Sequence, residues 1–114
     1  MADGVVYVNV EDALKRVMNN SKLLARLLKK FKEDRNLIDL EAALSANDLP
    51  KAQINAHTLK GLAANLSLIE LHKQVLELET QIKAGSVVPG QLDTVKSVYS
   101  ETLVEVDKVI AKYE

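Results

Sequence analysis

No cysteine occurs among the 114 residues, which excludes disulfide staples, thiolate nucleophiles and cysteine-based zinc sites. Tryptophan is absent as well, and one phenylalanine and three tyrosines complete the Phe, Trp and Tyr content. The core must therefore be aliphatic, mainly Leu, Val, Ile and Ala, and such a core favours helix packed on helix. No apolar run approaches the roughly 20 residues that a membrane-spanning helix needs. The start, Met1-Ala2-Asp3-Gly4, has neither the basic stretch nor the apolar stretch of a signal peptide. A net charge of −1 leaves no basic footprint for nucleic acid. Together these absences predict a cytoplasmic protein with neither a membrane nor a nucleic-acid partner.

What is present is ordinary for a globular chain: 47% hydrophobic and 27% charged residues, enough of each for a buried core and a solvated surface. The length predicts a single domain over residues 1–114. Residues 1–8, with the β-branched run Val5-Val6-Tyr7-Val8, read as an extended lead-in packed on the body. Asn9 is placed to cap a first helix through about Met18, with Glu11 and Asp12 in its first turn. Asn20 or Ser21 can cap a second, which carries Leu23, Leu24, Leu27, Leu28 and Phe31; Asn36 can cap a third, with Leu37, Leu40, Ala43 and Leu44. Asp48 and Pro50 open a fourth, over about 48–65. Leu71, Val75, Leu78 and Ile82 mark a fifth, which Gly85 can terminate. After the loop Val87-Val88-Pro89-Gly90, a last helix presents Leu92, Val95, Tyr99, Leu103, Val106, Ile110 and Tyr113 on one side. Short connections favour antiparallel neighbours. The expected fold is all-α: an up-and-down antiparallel four-helix bundle with one or two additional N-terminal helices.

The fourth helix holds the unusual chemistry. At roughly 100° per residue, Ala52, Ala56, Leu59, Ala63 and Leu66 share one arc and should pack inward. His57 lies roughly 140° from the middle of that arc and should face solvent. Around it stand Gln53, Lys60, Gly61 and Ala64, with Ile54 and Leu68 at the margins. Glycine within a helix costs about 1 kcal/mol relative to alanine, so Gly61 suggests that clearance beside the imidazole is useful. The plain alternative is an incidental surface histidine, with Ile54 and Leu68 packed in the core or at its rim.

The run Ala56-His57-Thr58-Leu59-Lys60-Gly61, continuing Leu62-Ala63-Ala64-Asn65-Leu66, resembles the signature of histidine-containing phosphotransfer (HPt) domains of two-component phosphorelays. Leu71, Val75 and the pair Leu78-Glu79 stand at the family's offsets downstream. Residues 23–31, Leu44 and Asp48 resemble its upstream part. One departure is Ser67, where the family often has glycine, and it leaves the end of the histidine helix open.

The resemblance implies that His57 accepts a phosphoryl group through Nε2 from the aspartyl phosphate of a receiver domain and passes it to another receiver. Lys60 would balance the phosphoryl charge. Glu79 would accept from Nδ1–H and orient the ring, or else be a solvated surface carboxylate. Gln53, Ile54, Gly61, Ala64 and Leu68 would form the docking surface. On this reading the domain is a carrier without a complete catalytic site: it binds no cofactor, and the receiver supplies Mg²⁺ and carboxylates. Response-regulator receivers or a hybrid histidine kinase are the expected partners, and a monomer the expected state. His72, beside the inward stripe of its helix, reads as a partly exposed bundle residue. Two other readings stand beside this one: the N-terminal phosphoacceptor domain of a chemotaxis-type histidine kinase, and a helical adaptor that is never phosphorylated.

Overall fold

The computed structural model describes residues 5–114, so the first half of the expected lead-in, residues 1–4, lies outside the described residues. Six helices follow: α1 (Val10–Arg16), α2 (Ser21–Lys32), α3 (Asn36–Ser45), α4 (Leu49–Asn65), α5 (Ile69–Lys83) and α6 (Gln91–Tyr113). No strand occurs among the described residues. The all-helical bundle read from the periodicity is the fold observed.

The four rods of the bundle are not four single helices. α2 lies along the C-terminal half of α6, and at its end the Phe31 ring packs on Tyr99 just before the middle of α6, with centroids 5.5 Å apart. Lys32 Nζ meets Asp107 at 2.5 Å, and Lys29 pairs with Glu114. α3 continues in the same direction along the N-terminal half of α6, tied by Lys96 Nζ to Glu41 at 2.8 Å. Together, α2 and α3 form one interrupted rod antiparallel to α6. α4 packs between α3 and α5, and α5 closes the bundle against α6.

Local chemistry explains most boundaries. The Asn9 side chain accepts from Asp12 N at 3.1 Å, and that of Asn20 accepts from Leu23 N at 3.0 Å. Both are ordinary N-caps. α1 stops at Arg16, short of the expected Met18, because Met18 and Asn19 both adopt left-handed backbone (φ 55° and 61°). Asn36 is not the cap of α3. It is already the first helical residue; Arg35 holds the N-cap position without a side-chain bond, and Asp34 one residue earlier accepts from Asn36 N with Oδ2 at 3.0 Å and from Asn36 Nδ2 with Oδ1 at 2.8 Å. Asp48 caps α4 by accepting from Lys51 N at 3.2 Å, with Pro50 in the first turn.

The predicted inward stripe of α4 is buried throughout, as are Leu71, Val75, Leu78 and Ile82 of α5. Each of the larger aliphatic side chains contributes about 1.5–3 kcal/mol through burial. On α6, Val95, Val106 and Ile110 are buried, while Leu92, Tyr99, Leu103 and Tyr113 are half-buried at the margin.

Ser67 makes the turn from α4 to α5 at φ 58°, a conformation that costs a residue with a Cβ about 1–2 kcal/mol. Here the side chain has a partner. Its hydroxyl donates to Asp12 Oδ2 at 2.5 Å, and Arg16 Nε donates to the same oxygen at 3.0 Å. These two bonds hold the Asp12 carboxyl below its ordinary pKa. The lead-in fastens to the same turn, with Asn9 N donating to Ser67 O at 2.9 Å and Glu70 N to Val6 O at 3.1 Å. Leu68 follows this reversal and is fully buried. Its expected place on the docking face is therefore corrected: the turn at Ser67 removes Leu68 from the α4 wheel and directs it into the core.

Candidate functional site

His57 sits mid-way along α4 with 70% of its side chain exposed, on the side away from the buried stripe. The flanking side chains differ in setting. Ile54, one turn before, is 66% exposed, a large apolar group left in solvent. Gly61, one turn after, is exposed, and a Cβ added there would meet nothing within 4 Å. Gln53 and Ala64 are half-buried at the edges of this face.

Glu79 reaches the histidine from α5. Its side chain is only 2% exposed, so the reading of a solvated surface carboxylate does not hold. Oε2 lies 3.1 Å from His57 Nδ1, and Oε1 lies 2.7 Å from Lys60 Nζ. A second cation, Lys83, stands 3.6 Å from Oε2, one turn further along α5. Burial by itself would raise the Glu79 pKa. The close Lys60 ammonium and the hydrogen bond from His57, reinforced by the charge of Lys83, outweigh it and hold the carboxyl below its ordinary value.

An ionised carboxylate can only accept hydrogen bonds. Nδ1 of His57 must therefore carry a proton in this pair, so that in the neutral ring the lone pair is on Nε2. The tautomer thus follows from the charge state of Glu79, and the ring is aimed by a buried group that has little freedom to move.

The cluster His57–Glu79–Lys60–Lys83 thus holds an exposed imidazole, a buried carboxylate behind its Nδ1 and two cations alongside. The family model described as Hpt domain matches residues 22–105. The chain belongs to the Hpt domain family. Searches of curated proteins and of solved structures find no significant match. Hpt domains act in phosphotransfer within two-component systems, so receiver domains and kinases of those systems are the class of partner for this chain.

The Hpt domain brings His57, Lys60 and Glu79 into one cluster, and keeps Gln53, Ile54, Gly61 and Ala64 on or beside the same face. His72 lies apart, half-buried in a recess with Asp12, Arg16, Ala64 and Ser67. Sequence reasoning missed Lys83. Its signal was the spacing Glu79 to Lys83, four residues on one helix, which places a cation over a carboxylate. No group of three or more His, Cys, Asp or Glu residues among the described residues is arranged to hold a metal ion. No helix among them is long and apolar enough to cross a membrane.

Proposed function

We propose that His57 is the phosphoacceptor of this Hpt domain, taking a phosphoryl group from the aspartyl phosphate of one receiver and delivering it to the aspartate of another. The observation that carries this reading is the pair His57 Nδ1–Glu79 Oε2 at 3.1 Å, an exposed imidazole backed by a buried ionised carboxylate.

In the forward step the Nε2 lone pair of the neutral ring attacks phosphorus. A P–N bond forms as the P–O bond to the donor carboxyl breaks, and that bond's electrons return to the donor as a carboxylate. The ring becomes cationic, with its proton still on Nδ1 and shared with Glu79. In the second step an acceptor carboxylate attacks phosphorus and neutral imidazole leaves. Glu79 thus serves both directions by stabilising the charged ring and holding Nε2 outward.

The receiver supplies Mg²⁺ and the carboxylates that manage charge on its own side. Ile54, Gln53, Gly61 and Ala64 form the docking face: Ile54 supplies an apolar contact, and Gly61 leaves room for a receiver cleft to descend over the ring. A mixed patch of this kind suits a transient interface.

The test mixes the protein with a phosphorylated receiver and Mg²⁺. The expected product is a label stable to alkali and lost in acid, present in the wild type and absent in His57→Gln. Equal labelling of the variant refutes the assignment.

A further inference from the structure

Two lysines approach one carboxylate, and their settings differ. Lys60 Nζ is 2.7 Å from Glu79 Oε1, and only 21% of its side chain is exposed. Lys83 Nζ is 3.6 Å from Oε2, beyond hydrogen-bond range, and its side chain is 55% exposed. An open recess against the imidazole is lined by Gln53, Ile54, His57, Thr58, Glu79 and Lys83; Lys60 is not among its walls.

Resting on His57 as the phosphoacceptor, we infer that the two cations divide the work: Lys60 is the fixed counter-ion of Glu79, and Lys83 is the cation that engages the phosphoryl group. This reverses the role that the family resemblance suggests for Lys60.

Removing Lys60 from Glu79 would leave a buried carboxylate without its nearest partner, which is strongly unfavourable. Its ammonium is therefore committed. Lys83 stands farther off, 3.6 Å from Oε2 against 2.7 Å from Lys60 to Oε1, on a flexible four-carbon stem. It can turn towards an anion without breaking a close contact.

The chemistry of the step favours that turn. As Nε2 forms its bond to phosphorus and the donor P–O bond breaks towards the donor carboxylate, the ring becomes cationic. Its Nδ1–H then draws closer to Oε2, the oxygen nearest Lys83. Two positive groups now compete for one oxygen while a dianion appears on the other side of the ring. Lys83, the less tightly held and more exposed of the two lysines, is the one free to move to the phosphoryl oxygens.

The experiment uses the full chain and a small phosphoramidate donor, so that receiver docking plays no part. Phosphoryl uptake is followed by mass spectrometry and the His57 ring nitrogens by ¹⁵N NMR. Lys60→Met and Lys83→Met are each made in the wild type and in Glu79→Gln. Lys83→Met should slow uptake about tenfold in both backgrounds, the scale of one lost charge-assisted contact, and leave the ring-nitrogen shifts unchanged. Lys83→Arg should restore most of the rate.

Lys60→Met should move the ring-nitrogen shifts and slow uptake only where Glu79 is present. Lys60→Arg, which keeps the counter-ion in a folded protein, should stay close to wild type. Two outcomes overturn the inference: Lys83→Met without effect, or Lys60→Met equally slow with and without Glu79. Uptake absent from the wild type, or undiminished in His57→Gln, is a distinct result that overturns the reading of His57 and this inference with it.

Discussion

Glu79 Oε2 lies 3.1 Å from His57 Nδ1, so the most buried carboxylate of α5 and the most exposed ring of α4 form one acid–base unit. Charge on the hidden member fixes the proton, and therefore the lone pair, of the visible one.

That unit gives the protein a defined acid response. The Glu79 carboxyl is held below its ordinary pKa in the folded state, so its contribution to stability is complete above the unfolded value near 4.5. It is lost as pH falls through the lower folded pKa. Asp12, also held low, by Ser67 and Arg16, acts in the same direction around its own ordinary value of 3.8. Glu79→Gln should be less stable than wild type at pH 7 by about 1.5–3 kcal/mol, the range for a hydrogen bond to a charged group. Urea unfolding at successive pH values should show this gap closing under acid. A gap that widens as pH falls contradicts the assigned direction.

Gly61 should trade stability against docking. Since nothing lies within 4 Å of an added Cβ, Gly61→Ala should stabilise the helix by about 1 kcal/mol, measured by urea unfolding. Gly61→Gln should also fold, yet transfer from a receiver should fall by tenfold or more as its longer side chain fills the clearance, about 1.4 kcal/mol of lost transition-state stabilisation. Undiminished transfer in folded Gly61→Gln contradicts the clearance argument.

Ile54 and Leu68 separate a docking residue from a core residue. Ile54→Asp should keep its melting temperature and weaken receiver binding by about tenfold, as expected for one exposed apolar anchor. Leu68→Ala should instead lose about 2–5 kcal/mol of stability. Calorimetry and a receiver-binding titration on both variants check the contrast, which is reversed if Leu68 belongs to the docking face.

Ser67 offers a test of the α4–α5 turn. Ser67→Ala and Ser67→Gly both lose the hydroxyl bond to Asp12, but only alanine keeps a Cβ at φ 58°. Ser67→Ala should therefore be about 1 kcal/mol less stable than Ser67→Gly by urea unfolding. Equal stabilities would mean that the left-handed backbone relaxes in the variants.

Much of this was legible in the chain. The stripe Ala52, Ala56, Leu59, Ala63 and Leu66 follows the helical period, so its burial and the outward direction of His57 could be read from spacing. The shared rod of α2 and α3 could not, because the break at residues 33–35 looks the same in sequence whether the chain reverses or continues. The start of α3 falls one residue early because Asn36, a suitable cap by type, is itself the first helical residue and its N–H is taken by the Asp34 carboxylate outside the helix. Leu68 was misread because a wheel drawn for α4 continues past its end. Glu79 stands four residues after Val75, so the period of α5 places it at the edge of the buried stripe, but the partners that keep it charged there, Lys60 and His57, arrive from a different helix and leave no mark within α5.

The brevity of the α4–α5 connection has a further consequence. α4 ends at Asn65 and α5 begins at Ile69, with the reversal fastened at Ser67 to both Asn9 and Asp12. This hinge sets the phase of one helix against the other. A single residue inserted within α5, between this turn and Glu79, would turn the Glu79 side chain by about 100° around the α5 axis and shift it by about 1.5 Å. The carboxylate would then face away from the imidazole even if every side chain of the cluster were kept. Residues added to a loop leave that phase to the buried stripe of α5, so the chemistry of His57 depends on the number of residues between the turn at Ser67 and Glu79.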